Sequence, residues 1–302
     1  MGKVKRQHYV PVFYLNGFAN ANKKIFVYDK AEDKVFETSV ENIACEHLFY
    51  DSNILISDFP EEQYIEKAYS YIESEFAPFF LGFINKIESE EKFEISNEEK
   101  DTISIFLALQ IERTREHREI LMQFSCSMKD KLNERGITDE QLLKIGFDFN
   151  NFDPKEFHLN SILNGHMREN LSEALKKHIW ILVVNNTDTP FYTSDNPIVK
   201  NANIIDDYGS YSGFASKGIE IIFPLNSRYL LTLCEREYFK DLEVLENKML
   251  HSSDVEHISY YNSLEVTGSY RQVYSSVKDF EIITELKIKY PEHFDINRIR
   301  IV

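Results

Sequence analysis

Large apolar side chains crowd the start of this chain, where most chains are polar and frayed. Tyr9, Val10, Phe13, Tyr14, Leu15 and Phe18 fall within twelve residues, Gln7 to Phe18. A terminus stays ordered only if something ties it down, so this pattern predicts a buried segment with His8 carried in beside it. Pro11 suits the first turn of a helix, where its missing N–H costs nothing, and the helix over 12–18 stops near Gly17. Two alternating runs follow, Lys24–Tyr28 and Lys34–Ser39, split by the polar loop Asp29–Asp33. They read as a hairpin, with a third short run at His47–Tyr50.

The period then changes from two to about 3.6. From Pro60 to about Glu88, apolar Ile65, Tyr69, Ile72, Phe76, Phe79, Phe80 and Phe83 share one face, with Pro78 as a candidate kink. Ser96-Asn-Glu-Glu99 is a capping box, and its helix runs to about Glu134 and ends at Gly136. Thr138-Asp-Glu-Gln141 opens a shorter helix, and Asp153-Pro154 opens one reaching Lys177. After that come buried strands at Trp180–Val184, Ile219–Phe223 and Tyr229–Leu233. Helices are expected around Arg236–Phe239 and Asp254–Glu265, a last strand at Gln272–Tyr274 and a last helix at Ile282–Tyr290.

This order predicts an α+β protein with a mainly antiparallel sheet, built from the N-terminal hairpin and the C-terminal strands. Residues 60–177 are then a helical subdomain inserted between 1–59 and 178–302, within a single domain of 302 residues.

Composition narrows the class. With 43% hydrophobic and 14% aromatic residues, 10 Gly and 8 Pro, the chain has a substantial core and few flexible linkers. Its net charge of −16 repels phosphate backbones, which argues against bulk binding of nucleic acid. Cys45, Cys126 and Cys234 are far apart with no CxxC, so each is expected as a small core residue in a reducing cytoplasm. No apolar stretch follows the first six residues as in a signal peptide, and the longest apolar run, Ile179–Val184, is too short to span a bilayer. A cytoplasmic protein with no membrane partner is expected. A homo-oligomer or a partner protein stays open.

Several motifs interrupt these apolar elements: Gln7-His8-Tyr9-Val10-Pro11-x-x-Tyr14-Leu15-x-x-Phe18, Glu46-x-x-Phe49-Tyr50, Glu66 and Glu73 on one helix face, Gln110-x-x-Arg113, Trp180, Thr193-Ser194-Asp195-x-Pro197 and Phe223-Pro224-Leu225. Together they resemble an uncharacterised bacterial family, domain of unknown function 4238, over most of the chain. The resemblance implies a bacterial or phage origin and carries no activity. Thr114-Arg115-Glu116 stands where that family suggests Thr-Pro, so the helix is expected to run straight through.

The candidate chemistry has a bland reading beside each sharp one. His8 suits general acid/base work or metal ligation, or equally a core imidazole fixing the N-terminus. Gln110 and Arg113 share a helix face, where Arg113 can clamp a phosphate or instead pair with Glu66 or Glu73. Ser194 and Asp195 sit at a strand end, where Asp commonly caps a turn. The functional reading joins His8, Glu73 and Asp195 as catalytic groups. Glu73 and Asp195 would then ligate Mg²⁺ or Mn²⁺, and Tyr9, Gln110, Arg113 and Ser194 would contact substrate. That reading predicts a hydrolase of nucleic acid or a nucleotide, such as a metal-dependent nuclease serving phage defence. The rival is a non-catalytic binding, sensor or scaffold protein whose polar network is structural. The run Arg113–Arg118 is better explained as a solvated helix face. No GxxxxGK[ST], GxGxxG, GxSxG or HExxH occurs, so nucleotide-cofactor, α/β-hydrolase and zincin chemistry lack support.

Overall fold

The computed structural model describes residues 3–52, 62–89, 92–144, 146, 148–149, 152–204, 206 and 211–301. The expected Pro60 helix start lies outside them. The N-terminal motif first forms strand β1 (Arg6–His8) and the short helix α1 (Val12–Leu15), which continues as a 3₁₀ turn to Phe18. Pro11 is the residue before that helix, with its backbone extended. Hairpin strands β2 (Lys24–Asp29) and β3 (Lys34–Ser39) follow as expected, then β4 (Cys45–His47), which pairs antiparallel with β1 and sets Cys45 opposite His8.

The helical block comprises α2 (Tyr64–Ser89), α3 (Asn97–Arg113), α4 (Arg115–Glu134), α5 (Asp139–Lys144), α6 (Pro154–Asn164) and α7 (His166–Lys176). Sequence signals set most of its boundaries. Ser96 Oγ accepts from Glu99 N while Ser96 N donates to Glu99, completing the capping box that starts α3. Thr138 and Gln141 make the same exchange before α5. Asp153 accepts from Lys155 N to cap α6.

Two expected long helices are each broken. Thr114 is extended (φ −76°, ψ 158°), so α3 ends and α4 begins there without a proline. Its hydroxyl accounts for the break, accepting from His117 N at 3.2 Å and donating to Ile111 O at 3.1 Å. It thus satisfies one orphan group on each side. Gly165, at φ +71°, divides α6 from α7 in the left-handed conformation that glycine adopts readily.

The remaining strands are β5 (Ile179–Asn185), β6 (Thr193–Ser194), β7 (Val199–Ala202), β8 (Ile219–Pro224), β9 (Tyr229–Cys234), β10 (Met249–Ser252) and β11 (Gln272–Ser275). Helix α8 (Val255–Gly268) precedes β11 and α9 (Ile282–Lys289) follows it. The strands divide between sheets where one sheet was expected. One sheet has the order β10-β5-β9-β8-β7, antiparallel except for the parallel pair β10 and β5. The second has the order β3-β2-β11-β6 and is antiparallel throughout, so the N-terminal hairpin joins the C-terminal strand β11. Strands β7 and β10 were too short and too polar to read in advance. Around Arg236–Phe239 the chain makes turns, and a 3₁₀ segment follows at Lys240–Leu245.

The main core lies between the helical block and one face of the five-stranded sheet. Phe80 and Phe106 meet Phe223 of β8, and Tyr14 of α1 stacks on the same ring at 5.1 Å. The N-terminal segment is therefore part of the core, as its apolar density demands. Every residue of β5 is buried, since Val183 faces α8 while Leu182 faces the helical block. Gly268 ends α8 hard against β7, where a Cβ would overlap Val199 Cγ1. Of the cysteines only Cys234 is fully buried, Cys45 is half-buried, and Cys126, expected in the core, is exposed on α4.

Candidate functional site

Pairing of β1 with β4 lays residues 7–9 along the end of α3, where Gln110 and Arg113 stand one helical turn apart. Arg113 is buried, and each of its three guanidinium nitrogens is engaged. Nη1 meets Glu73 Oε1 at 2.8 Å, Nη2 donates to the main-chain carbonyl of His8 at 2.6 Å, and Nε donates to Tyr50 Oη at 3.3 Å. The guanidinium also lies over the Tyr69 ring, 4.2 Å from its centre. Gln110 Nε2 donates to the Tyr9 carbonyl at 2.8 Å, while its Oε1 is buried without a partner among the described residues. Tyr9 is buried against Phe49, and burial raises its phenol well above the ordinary value.

His8 therefore serves this cluster through its backbone carbonyl. Its ring is half-buried, with Nε2 at 3.3 Å from Glu41 O, and burial lowers its pKa and keeps it neutral at pH 7. Glu66, one heptad before Glu73, accepts no hydrogen bond from a described residue. Burial pushes its carboxyl up to about 7 despite the attraction of Arg113.

Asp195 belongs to a different knot. It is fully buried, and its carboxylate accepts from the backbone N–H groups of Tyr270, Arg271 and Gln272, each at 2.8 Å. Burial nevertheless raises its pKa. Its charged neighbours include Lys30, Glu116, Glu265 and Arg298, whereas those of His8 include Glu73, Arg113, Arg6 and Glu41, and the Tyr9 phenol between them feels the Asp195 carboxylate. Ser194 Oγ donates to Glu265 Oε2 at 2.8 Å, and Glu265 is so deeply buried that its pKa rises well above the carboxylate range. Thr193 bonds Tyr14 Oη at 2.7 Å, tying this strand to α1.

The sequence-predicted residues thus fall into two clusters. Arg113, Glu73, Gln110, Tyr9 and the His8 carbonyl form one. Asp195 and Ser194 form the other, turned into the backbone of the turn before β11. Among the described residues no group of three or more His, Cys, Asp or Glu side chains is placed to hold a metal ion. The expected joining of His8, Glu73 and Asp195 into a metal site is therefore not what the structure shows, because the Asp195 oxygens face the amides of Tyr270, Arg271 and Gln272. Tyr50, Tyr69 and Lys30 complete the clusters and went unrecognised as partners. Only the spacing of Glu66 and Glu73 gave a usable signal.

A family model, protein of unknown function (DUF4238), matches residues 6–279. The chain belongs to this family. The match takes in both clusters and ends before α9. No curated protein and no solved structure matches the chain. Among the described residues, no helix of this family member is long and apolar enough to cross a membrane.

Proposed function

We propose that this family member is a non-catalytic binding protein, a sensor or scaffold, whose family motifs build its frame. One observation carries the reading: all three nitrogens of Arg113 are engaged inside the protein, one on the His8 carbonyl, one on Glu73 and one on the Tyr50 hydroxyl. A guanidinium kept for phosphate would leave a donor edge free for bidentate contact. Asp195 is likewise filled by three amides. Thermal melting with and without Mg²⁺ or Mn²⁺ tests this, on the wild type and on His8→Ala, Glu73→Ala and Asp195→Ala. The reading predicts no shift with metal, a much lower melting point for Asp195→Ala, and no cleavage of RNA or DNA. It is overturned if metal raises the wild-type melting point and the folded variants lose both that rise and a nucleolytic activity.

One observation favours a second proposal, a hydrolase of nucleic acid or a nucleotide in phage defence, using Mg²⁺ or Mn²⁺. Glu66, near 7 beside Arg113, is poised for proton transfer at neutral pH. Cleavage abolished by Glu66→Gln in a folded protein would support it. A cytoplasmic location suits either proposal.

A further inference from the structure

The sequence pattern puts Arg118 on a solvated helix face, and the structure buries it instead. Its guanidinium lies over the Phe49 ring, 3.6 Å from the centre, and only 5% of the residue is exposed. Nε donates to His158 Nδ1 at 3.0 Å, and Nη2 donates to Phe49 O at 3.0 Å. Burial and the charge of Arg115 pull its pKa down to about 10, so it is a cation at neutral pH. Nη1 makes no hydrogen bond to a described residue, yet it is not closed off from solvent. The guanidinium edge formed by Nη1 and the second hydrogen of Nη2 is therefore unspent.

Lys155, in the first turn of α6, stands beside it. Its ammonium donates to Leu48 O at 2.8 Å, so the two cations sit on successive carbonyls of one turn. Leu48 holds φ at +50°, a conformation uncommon for any residue but glycine. The Lys155 pKa falls, first through burial and then through the charge of Arg118.

Neither cation makes an ion pair with a described residue, because the carboxylates around them serve other donors. Glu46 and Glu119 pair with Arg115 at 3.8 Å and 2.6 Å. Asp51 accepts from Gln7 Nε2 at 2.6 Å and faces Lys3, Asp153 caps α6, and Glu156 accepts from Ser52 Oγ. His158 returns no charge, since burial keeps its ring neutral. Buried charge without a counter-ion is costly and calls for an anion. In a chain of net charge −16, this pair is not part of a general basic surface.

We propose that Arg118 and Lys155 form a binding site for the phosphate group of a small molecule. The open guanidinium edge takes two phosphate oxygens, and the Lys155 ammonium meets a third as a point charge. Arg118 thus keeps the donor edge that Arg113 lacks. The proposal rests on the binding reading and names its ligand class.

Isothermal titration calorimetry on the full chain tests it, with inorganic phosphate and glycerol phosphate as probes and with chloride and acetate at matched ionic strength as controls. At least one probe is expected to bind once per chain with a Kd below about 1 mM, with both controls at least about tenfold weaker. Binding of glycerol phosphate marks a phosphomonoester as the ligand, and binding of inorganic phosphate alone marks the free ion. Lys155→Met keeps the apolar stem and removes the charge, and should weaken binding about tenfold in a folded protein. Arg118→Lys keeps the charge, loses the fork and should do the same; if it does not fold, Lys155→Met decides. Absence of saturable binding by both probes overturns the proposal, as do equal affinities for the controls or for folded Lys155→Met. Nuclease activity would overturn the binding reading alone, and a silent titration would overturn the phosphate site alone.

Discussion

Arg113 spends its guanidinium on a carboxylate, a phenol and a main-chain carbonyl, and Asp195 spends its carboxylate on three main-chain amides. Both are side chains used as backbone partners, which is how buried charge is made tolerable. Glu112, beside Arg113 on α3, is less well served. Its side chain is fully buried, Oε2 accepts from Arg168 Nε at 2.9 Å, and Oε1 has no partner among the described residues. Burial outweighs Arg168 and pushes its pKa from 4.5 up to about 7. The folded state then binds a proton more tightly than the unfolded chain does. Its stabilisation is full below about pH 4.5 and is lost as pH rises through 7. Urea unfolding of the wild type against Glu112→Gln, between pH 5 and 8, should show the wild type losing stability relative to the variant as pH rises. A flat difference would contradict the assignment.

At the scale of elements, two junctions decide how the helical block and the sheets meet. Thr114→Ala removes the hydroxyl that caps α4 and should cost about 1 kcal/mol in urea unfolding. No loss would mean that the break between α3 and α4 is held by packing alone. Gly268→Ala drives a Cβ into Val199 and should cost about 1–3 kcal/mol by overpacking. Adding Val199→Ala should recover part of that loss, since the two changes share one contact. Strictly additive losses would contradict close docking of α8 on β7. Element type was well written in the sequence. The capping boxes at Ser96 and Thr138 and the Asp153-Pro154 start lie where they were read. The breaks at Thr114 and Gly165 were not read, because a single capping hydroxyl or left-handed glycine interrupts an apolar period without changing it. Strands β7 and β10 escaped because each has four residues and half of them are polar, Lys200 and Asn201 in one and His251 and Ser252 in the other, which leaves no strand period to read.

For the whole molecule, the N-terminal motif is the member that joins the parts. Its first strand pairs with β4, Tyr14 reaches Thr193 and Pro224 O, and Gln110 and Arg113 hold its carbonyls. The apolar density of residues 9–18 made this burial legible. It could not show which atom of His8 matters, since a carbonyl leaves no mark in sequence. It also could not show that Asp195 binds main-chain amides, because that depends on the turn before β11 arriving from 75 residues later to present them. The central claim is that these motifs are a frame, and the frame uses the backbone of His8 and the side chain of Arg113. The most direct test is equilibrium urea unfolding of Arg113→Ala beside His8→Ala. The frame account predicts a loss of about 3 kcal/mol for Arg113→Ala and about 1 kcal/mol or less for His8→Ala, whose carbonyl survives the substitution. Near-equal, small losses in two folded variants would contradict it and return both residues to the list of candidate reacting groups.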